Sequence, residues 1–216
     1  ALLSEAYVAT SGNDTTGDGS SINPFATISY ALGQVASAGT VYVAGGTYTE
    51  RLGFGPDKKG ITIRGGHDPA ASWAWDPSNQ VTIVDGNGKS PVSLSPSATS
   101  NALIALTLKR GTSGVESGAG IELAGPYNTL SVENCMIISN ACGVYGGYHI
   151  PATLTVRNTL IARNSSHAVF YARGNVASSS TPLATNFLWN CTVANNGGDG
   201  FQYSGNPDWS DVIPVA

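Results

Sequence analysis

Four segments in the second half of the chain, LIALTLKRG (103–111), VENCMIISN (132–140), VRNTLIARN (156–164) and LWNCTVANN (188–196), align without gaps. Their first residues lie 24 to 32 positions apart, which suits a solenoid whose turns differ in loop length. Positions one and six are apolar in all four segments. An earlier segment, VYVAGGTY (41–48), keeps the same opening strand. The repeat therefore predicts short strands that stack coil upon coil.

Asparagine recurs at positions three and nine of this repeat. Successive residues of a strand point to opposite faces, so positions one and four share the inward face only where the backbone bends between them. Asparagine tolerates the left-handed conformation and bonds to its own turn, which suits such a bend. We expect inward amide ladders, because equal positions of stacked coils lie about 4.8 Å apart. The expected ladder residues are Asn134, Asn158 and Asn190 at one corner and Asn140, Asn164 and Asn196 at the next.

These features predict an all-β fold, a right-handed parallel β-helix of about seven coils, with an amino-terminal capping α-helix. We expect Asn23 to cap this helix, Pro24 to lie in its first turn and Gly39 to end it. Its apolar stripe would consist of Phe25, Ile28, Leu32 and Val35. Residues 1–40 then form a strand and the capping helix, and residues 41–216 form the β-helix, continuous with the cap as one domain.

Composition and charge limit the functional classes. The 216 residues carry a formal charge of -4, and only 11% of them are charged. Since there is no run of Lys and Arg, nucleic acid is not an expected partner. No apolar stretch approaches the roughly 20 residues that span a bilayer, so membrane insertion is not expected. Cys135 and Cys191 fall on one inward column two coils apart, which is too far for a disulfide.

The opening YVATSGNDTTGDGSSINPFATISYAL (7–32) resembles the amino-terminal segment of bacterial pectate-lyase-like β-helix proteins. The later units, such as NTLIARN (158–164), are similar to the repeats of secreted β-helix repeat proteins. The resemblance implies a right-handed helix, a location outside a bacterial cell or on its surface, and contact with carbohydrate or a surface. It does not by itself imply catalysis, because the same scaffold serves lyases, hydrolases, adhesins and structural proteins.

Glu133, Arg157 and Asp199 are weak catalytic candidates. Glu133 and Arg157 occupy position two of adjacent repeats and should face solvent one coil apart, where a surface ion pair explains them. Lyases of the resembled superfamily use an Arg or Lys base with several acidic calcium ligands, and one carboxylate beside one arginine falls short of that set. Asp199 precedes a strand, where aspartate is a common turn residue. No catalytic set is predicted.

Two further groups of side chains are candidates for binding. Asn13, Asp14 and Asp18 carry closely spaced oxygens in a glycine-rich loop, which makes them weak candidates for calcium; a turn stabilised by these side chains explains them equally well. No other cofactor or metal is predicted. Aromatic residues cluster after the second corner of successive coils, where inward members belong to the core and outward ones would contact sugar rings or a second subunit. The surface candidates are Tyr145, Tyr148, Tyr171 and Tyr203.

The leading functional hypothesis is an extracellular β-helix with a structural, adhesive or filament-forming role. No capping pattern is present in residues 205–216, so either further coils follow or the uncapped coil docks on another copy of the chain. End-to-end docking that does not close would build a filament. The alternative is a polysaccharide lyase or glycoside hydrolase that acts on an acidic polysaccharide. The expected partners are therefore another copy of the chain or a polysaccharide, with no nucleic acid and no membrane insertion.

Overall fold

The computed structural model describes residues 1–115, 118–146, 152–172 and 185–204. In chain order its elements are β1 (Leu3–Val8), α1 (Ile28–Gln34), β2 (Val35–Ala44), β3 (Gly46–Thr49), β4 (Leu52–Phe54), β5 (Thr62–Asp68), a 3₁₀ turn (Pro69–Ala71), β6 (Ala74–Trp75), β7 (Thr82–Gly88), β8 (Val92–Leu94), β9 (Asn101–Ile104), β10 (Leu106–Gly111), β11 (Ala119–Leu123), β12 (Thr129–Glu133), β13 (Met136–Ile138), β14 (Cys142–Gly146), β15 (Thr153–Arg157), β16 (Leu160–Ala162), β17 (Val169–Ala172), β18 (Thr185–Trp189), β19 (Thr192–Ala194) and β20 (Phe201–Ser204).

The strands form three parallel sheets wound into a right-handed parallel β-helix, as predicted. The first sheet runs β1-β2-β5-β9-β12-β15-β18, and the short β6 pairs antiparallel with β5. The second runs β3-β7-β10-β13-β16-β19 and the third β4-β8-β11-β14-β17-β20. Six coils of the described chain thus contribute one strand to each sheet, and β1 adds a seventh strand to the first sheet.

Alternate residues of the strands point inward and stack in columns along the axis. The inward columns consist of Val41, Ile63, Leu103, Val132, Val156 and Leu188 in the first sheet, of Tyr48, Val84, Leu108, Ile137, Ile161 and Val193 in the second, and of Leu52, Val92, Ile121, Val144, Val169 and Phe201 in the third. Only Val193 and Phe201, in the last described coil, are exposed. Each fully buried aliphatic side chain contributes about 1.5–3 kcal/mol.

The asparagines of the first corner point outward, so the predicted inward orientation is wrong. Asn134, Asn158 and Asn190 have φ of 54°, 49° and 50° and are exposed. The residue in the left-handed conformation lies on the outer side of the bend, and the next residue, at position four, turns inward. Cys135 and Thr159 are the buried members of this corner. On the surface, Asn190 Nδ2 donates a hydrogen bond to Asn158 Oδ1 at 2.8 Å.

The second corner repeats this geometry and forms a buried amide ladder at position nine. Its left-handed residues, at position eight, are Arg110, Ser139, Arg163 and Asn195. The next residue points inward, and Asn164 Oδ1 accepts from the backbone N–H and Nδ2 of Asn140 at 3.0 and 3.2 Å. Asn196 Oδ1 accepts in the same way from Asn164 at 3.1 and 3.0 Å. Asn140 and Asn164 are buried, so these bonds satisfy polar groups that water does not reach.

The capping helix begins later than predicted, at Ile28 rather than at Pro24. Residues 23–25 stay outside the helix because Phe25 N–H donates to the Tyr7 carbonyl at 2.9 Å and Phe25 forms a parallel bridge to Val8 of β1. Thr27 is the N-cap, and its hydroxyl oxygen accepts from Tyr30 N–H at 3.2 Å. Pairing with β1 has overridden the local signal of an Asn-Pro helix start.

Two acidic side chains from outside the helix satisfy its first N–H groups. The two carboxylate oxygens of Glu50 accept from Ile28 N–H and Ser29 N–H at 2.9 and 2.7 Å. Asp14 accepts from the backbone N–H and the hydroxyl of Thr27 at 3.1 and 2.7 Å. Negative charge at this end also interacts favourably with the positive end of the helix dipole. The cap is therefore fixed to the first coil by tertiary contacts.

The helix ends at Gln34, because Val35 already belongs to β2. Gly39, the predicted stop, lies inside this strand, and β2 runs past residue 40, at which the sequence division was placed. The apolar stripe is nevertheless buried as predicted. Its members Phe25, Ile28, Leu32 and Val35 are all 3% exposed or less.

All three cysteines are free thiols. Cys135 and Cys142 are buried, whereas Cys191 is partly exposed. Burial raises the pKa of both the Cys135 and the Cys142 thiol to about 12. These two side chains pack as small apolar groups.

Candidate functional site

An outward column of side chains runs along the whole first sheet, and we call it the outer column. Its members are in register on adjacent parallel strands and consist of Tyr7, Tyr42, Arg64, Ile104, Glu133, Arg157 and Trp189. Their sequence neighbours on the same strands belong to the inward column, so strand alternation directs these side chains to the exterior. Successive members lie about 4.8 Å apart. The column places aromatic and charged groups in one line along the solenoid axis.

The carboxyl-terminal end of the outer column carries an exposed aromatic surface. Phe187 and Trp189, which we call the aromatic pair, lie two residues apart on β18 and are 38% and 44% exposed. Their ring centroids are 5.4 Å apart and the planes differ by 5°. On the adjacent strand, the Arg157 guanidinium carbon lies 4.8 Å from the Trp189 ring centroid. This contact is a cation–π interaction.

Hydroxyl groups continue this surface across the neighbouring strands. Ser131 on β12 and Thr155 on β15 are in register with Phe187, and both are partly exposed. Thr129 and Thr153, two residues earlier on the same strands, are in register with each other. Each hydroxyl can both donate and accept a hydrogen bond. The outer face of β12, β15 and β18 therefore combines aromatic rings, a guanidinium and hydroxyl groups.

Glu133 and Arg157 lie opposite each other in adjacent strands, but they do not form the predicted ion pair. Ion pairs within 4.0 Å in the described part of the chain join Arg51 to Glu122 and Arg110 to Asp85. The Arg157 guanidinium stacks on the neighbouring indole instead, since an exposed ion pair gains little over solvation.

The structure does not bring Asp199 to this site. Asp199 lies two residues before β20 of the third sheet, whereas Glu133 and Arg157 lie on the first. Its backbone N–H donates to Nδ1 of His167 at 3.0 Å. This bond belongs to the turn into β20. The three weak catalytic candidates are thus divided between two faces of the solenoid.

The amino-terminal end of the outer column is covered by residues 69–76, which we call the tryptophan loop. Tyr7 and Tyr42 stack with ring centroids 5.1 Å apart, and Trp73 packs edge-on against Tyr7 at 4.9 Å. Trp75 lies over the Arg64 guanidinium at 4.2 Å. Sequence reasoning missed this cluster, although two tryptophans separated by one residue directly after a strand were an available signal.

His67 lies beneath the tryptophan loop and is only 4% exposed. Its Nδ1 is 2.7 Å from the Trp73 carbonyl oxygen, which can only accept, so Nδ1 carries the proton. Its Nε2 has no hydrogen-bond partner in the described structure. Burial and the charge of Arg64 lower the pKa of His67 below its ordinary value, against the opposing effect of the bond to Trp73.

Tyr145 departs from the surface of exposed tyrosines that the sequence predicts on the third sheet. This residue points outward on β14 but is only 4% exposed, because its ring stacks on Phe170 with centroids 5.7 Å apart. Tyr171 and Tyr203 are paired in register on β17 and β20, and their side chains lie outside the described residues, as does all of Tyr148. Tyr145 therefore offers no open face to a ligand.

The oxygens of the predicted calcium loop are occupied by backbone donors. Asn13 Oδ1 accepts from Thr15 N–H and Thr16 N–H at 2.8 and 3.0 Å. Asp18 Oδ1 accepts from Ser20 N–H at 2.9 Å, and hydrogen bonds from Ser20 lower the pKa of Asp18. Together with the helix-capping role of Asp14, these bonds account for the loop as a turn. Calcium binding stays a prediction.

Comparisons with known proteins give similarity at the level of structure. No protein-family model matches the chain, and no curated protein sequence matches it. A rhamnogalacturonan lyase structure is 15% identical with a TM-score of 0.48, and the match covers 92% of this chain and 53% of the lyase. This chain thus spans about half the length of that protein.

Two structures of the pectin methylesterase from Aspergillus niger, one deglycosylated and one penultimately deglycosylated, are also similar. Each is 17% identical with a TM-score of 0.42, and each match covers 100% of this chain and 92% of the esterase. At these identities the likeness concerns the fold and transfers no site residue. Among the described residues, no helix is long and apolar enough to cross a membrane.

Proposed function

We propose that this chain is an extracellular protein that binds an acidic polysaccharide along the outer column of its first sheet. The observation that carries the proposal is the exposed aromatic pair with the Arg157 guanidinium stacked on Trp189. Location outside the cell follows from the same proposal, since acidic polysaccharides of this kind are components of cell walls and extracellular matrices.

The chemistry of the surface matches that of a sugar chain. A pyranose ring has an apolar face of C–H groups, which packs on aromatic rings such as the aromatic pair. Its hydroxyls can exchange hydrogen bonds with Ser131 and Thr155. A uronate carboxylate is a bidentate partner for the Arg157 guanidinium. The coil spacing of about 4.8 Å is close to the length of one sugar unit, so equivalent groups of successive coils can meet successive sugars.

The structural and enzymatic alternatives stay predictions. End-to-end stacking concerns residues 205–216, which lie outside the described residues. A glycosidase needs two carboxyl groups on one face, and Asp199 lies on a different sheet from Glu133. A lyase of the resembled kind needs several acidic calcium ligands, and the outer-column neighbours of Arg157 are Glu133 and Trp189. Binding, in contrast, requires only groups that already lie together.

Affinity electrophoresis in gels that contain polygalacturonate, alginate or a neutral glucan tests the proposal. We expect wild-type protein to be retarded by the polyuronates, and Trp189→Ala to lose most of this retardation, because it removes both the stacking surface and the partner of Arg157. We expect Arg157→Gln to lose the preference for acidic over neutral glycans. Tyr127→Ala is the matched control, since Tyr127 is an exposed aromatic residue outside the outer column.

Two results would contradict this proposal. One is a wild-type protein that none of the polyuronates retards. The other is a folded Trp189→Ala variant that is retarded as strongly as the wild type and the Tyr127→Ala control.

A further inference from the structure

The tryptophan loop partly covers the amino-terminal part of the outer column, where Tyr7 and Arg64 are half-buried. The Trp75 ring lies 4.2 Å from the guanidinium carbon of Arg64, and Trp73 packs against the ring of Tyr7. Arg64 and Tyr7 carry a guanidinium and an aromatic ring, the groups that bind sugars at the other end of the column in the proposed function. With the loop removed, the column would present a second cationic and aromatic region in line with the aromatic pair.

A short strand pairing, single hydrogen bonds and ring contacts hold this loop on the sheet. Its strand β6 pairs with β5 through two residues only, His67 with Trp75 and Asp68 with Ala74. The two indole N–H groups donate to backbone carbonyls outside the loop, Trp73 to Ser21 and Trp75 to Gly65, both at 2.9 Å. Asp76 N–H also donates to the Gly66 carbonyl, the two indoles pack on Tyr7 and Arg64, and Nδ1 of His67 bonds to the Trp73 carbonyl.

The loop is also held in a strained backbone conformation. Ser72 and Trp73 are consecutive residues with φ of 53° and 61°. The left-handed region is unfavourable for residues other than glycine, and especially so for a bulky side chain such as Trp73. Strain of this kind persists only while the surrounding contacts impose it. Loss of one contact therefore favours release of the whole loop.

We propose that the tryptophan loop is an acid-released cover of the outer column, held closed by neutral His67. In the closed state, Nδ1–H of His67 bonds to the loop and Nε2 is buried without a partner. A proton on Nε2 would create a buried cation whose second N–H has no acceptor, close to the positive charge of Arg64. Such a charge is costly unless it is paired. Opening of the loop lets water solvate it.

Among the described residues, none of the charged groups around His67 accepts a hydrogen bond from its Nε2. The charged and titratable neighbours are Arg64 on β5, Tyr42 on β2, Tyr7 with Glu5 on β1, Asp68 at the end of β5 and Asp76 at the end of the loop. Asp68 already accepts from Ala70 N–H at 2.9 Å. The pKa of Tyr7 is raised by burial and by Glu5, so this phenol stays neutral in the relevant range.

The direction of the pH effect follows from the lowered pKa of His67. The closed state binds fewer protons than the open state, in which the histidine titrates near its ordinary value of 6.5. Closure is therefore favoured above that value and loses its advantage as the pH falls towards the closed-state pKa. Between the two pKa values, the ratio of open to closed molecules rises about tenfold for each pH unit.

Amide hydrogen exchange measured by NMR from about pH 7.5 down to about pH 5 tests the cover across the range in which histidine titrates. The reporters are the N–H groups of Trp73 and Asp76, which donate to the Asp68 and Gly66 carbonyls at 2.8 and 2.7 Å. After correction for intrinsic rates, we expect their protection to fall on acidification. In His67→Gln, which keeps a donor but cannot titrate, we expect protection to be independent of pH.

His167→Gln is the matched control, since His167 lies beside the third sheet, and it should behave as the wild type does. The inference also rests on the proposed function, because opening should increase the retardation by polygalacturonate at low pH in the wild type but not in His67→Gln. If the protein binds none of the glycans but its amide exchange still depends on pH as expected, the proposed function is rejected and the proposal of an acid-released cover is retained. Exchange that is equally pH-dependent in wild type and His67→Gln, or flat in both, would reject the cover. If His67→Gln does not fold, flat exchange in the wild type alone rejects it.

Discussion

At the scale of single residues, the path of each coil depends on which residue adopts the left-handed conformation. At both corners this residue lies outside, and the residue after it points into the solenoid. The polar groups at position nine are therefore buried and mutually bonded, whereas those at position three are on the surface. Asn164 and Asn158 are the same amino acid only six residues apart, yet they have opposite environments.

This difference predicts unequal effects of substitution. Asn164→Ala removes the acceptor of two donors of Asn140 and the side-chain donor to Asn196. We expect the free energy of unfolding to fall by about 3 kcal/mol, because buried polar groups lose their partners. Asn158→Gly retains a compatible left-handed backbone on the surface and should change it by less than about 0.5 kcal/mol. Urea denaturation measures both; equal losses would contradict the distinction.

The sequence was sufficient to place these asparagines in columns, because the repeat aligns them without gaps. It was not sufficient to orient them. Alternation identifies the two faces of a strand, but at a bend it does not tell whether the reversed residue or its successor turns inward. The apolar and small residues at position four, such as Cys135, were the available signal. Their burial requires that Asn134 before them lie outside.

At the scale of elements, the capping helix shows how a short segment takes its bounds from its neighbours. The seven residues of α1 are too few to be stable alone. Pairing of Phe25 with β1 delays the start, and entry of Val35 into β2 sets the end. Neither contact is visible in the local Asn-Pro and Gly signals, whereas the apolar stripe that packs on the first coil was visible.

Glu50 is expected to stabilise this helix through the N–H groups of its first turn. Glu50→Gln removes the charge and one of two acceptor oxygens, so the free energy of unfolding should fall by about 1 kcal/mol. Glu5→Gln, which changes an exposed carboxylate on β1, serves as the comparison and should have little effect. Thermal unfolding monitored by circular dichroism measures the difference. A loss no larger in Glu50→Gln than in Glu5→Gln would show that the carboxylate does not cap the helix.

At the scale of the whole molecule, stability is distributed along the axis of the solenoid. The inward columns are fully buried in the central coils, whereas Val193 and Phe201, the last described members of the second and third columns, are more than a third exposed. Coil-to-coil order was predictable because one repeat corresponds to one coil. The cover of the outer column was not predictable, since Trp73 meets Tyr7 across 66 positions of sequence with no period to relate them.

Matched valine substitutions should reveal this gradient. Val144 is completely buried in the third sheet, whereas Val193 is 38% exposed in the last described coil. Val144→Ala should lower the free energy of unfolding by about 2 to 3 kcal/mol, because it leaves a cavity in a packed column. Val193→Ala should lower it by less than about 1 kcal/mol. Guanidinium titrations of the two variants give the comparison, and similar losses would argue against an axial gradient.

The buried amide ladder also bears on how such a chain can change in length. The Oδ1 atoms of Asn140, Asn164 and Asn196 each accept from the position-nine N–H of the preceding coil, and their Nδ2 groups each donate to its position-six carbonyl. After duplication or loss of a complete repeat, equivalent positions of adjacent coils would still face each other, so the contacts between coils would be retained. Insertion of one residue within a strand would instead reverse the faces of the residues that follow it. Evolution by whole modules, with variation confined to the loops, is thus the route that this architecture permits.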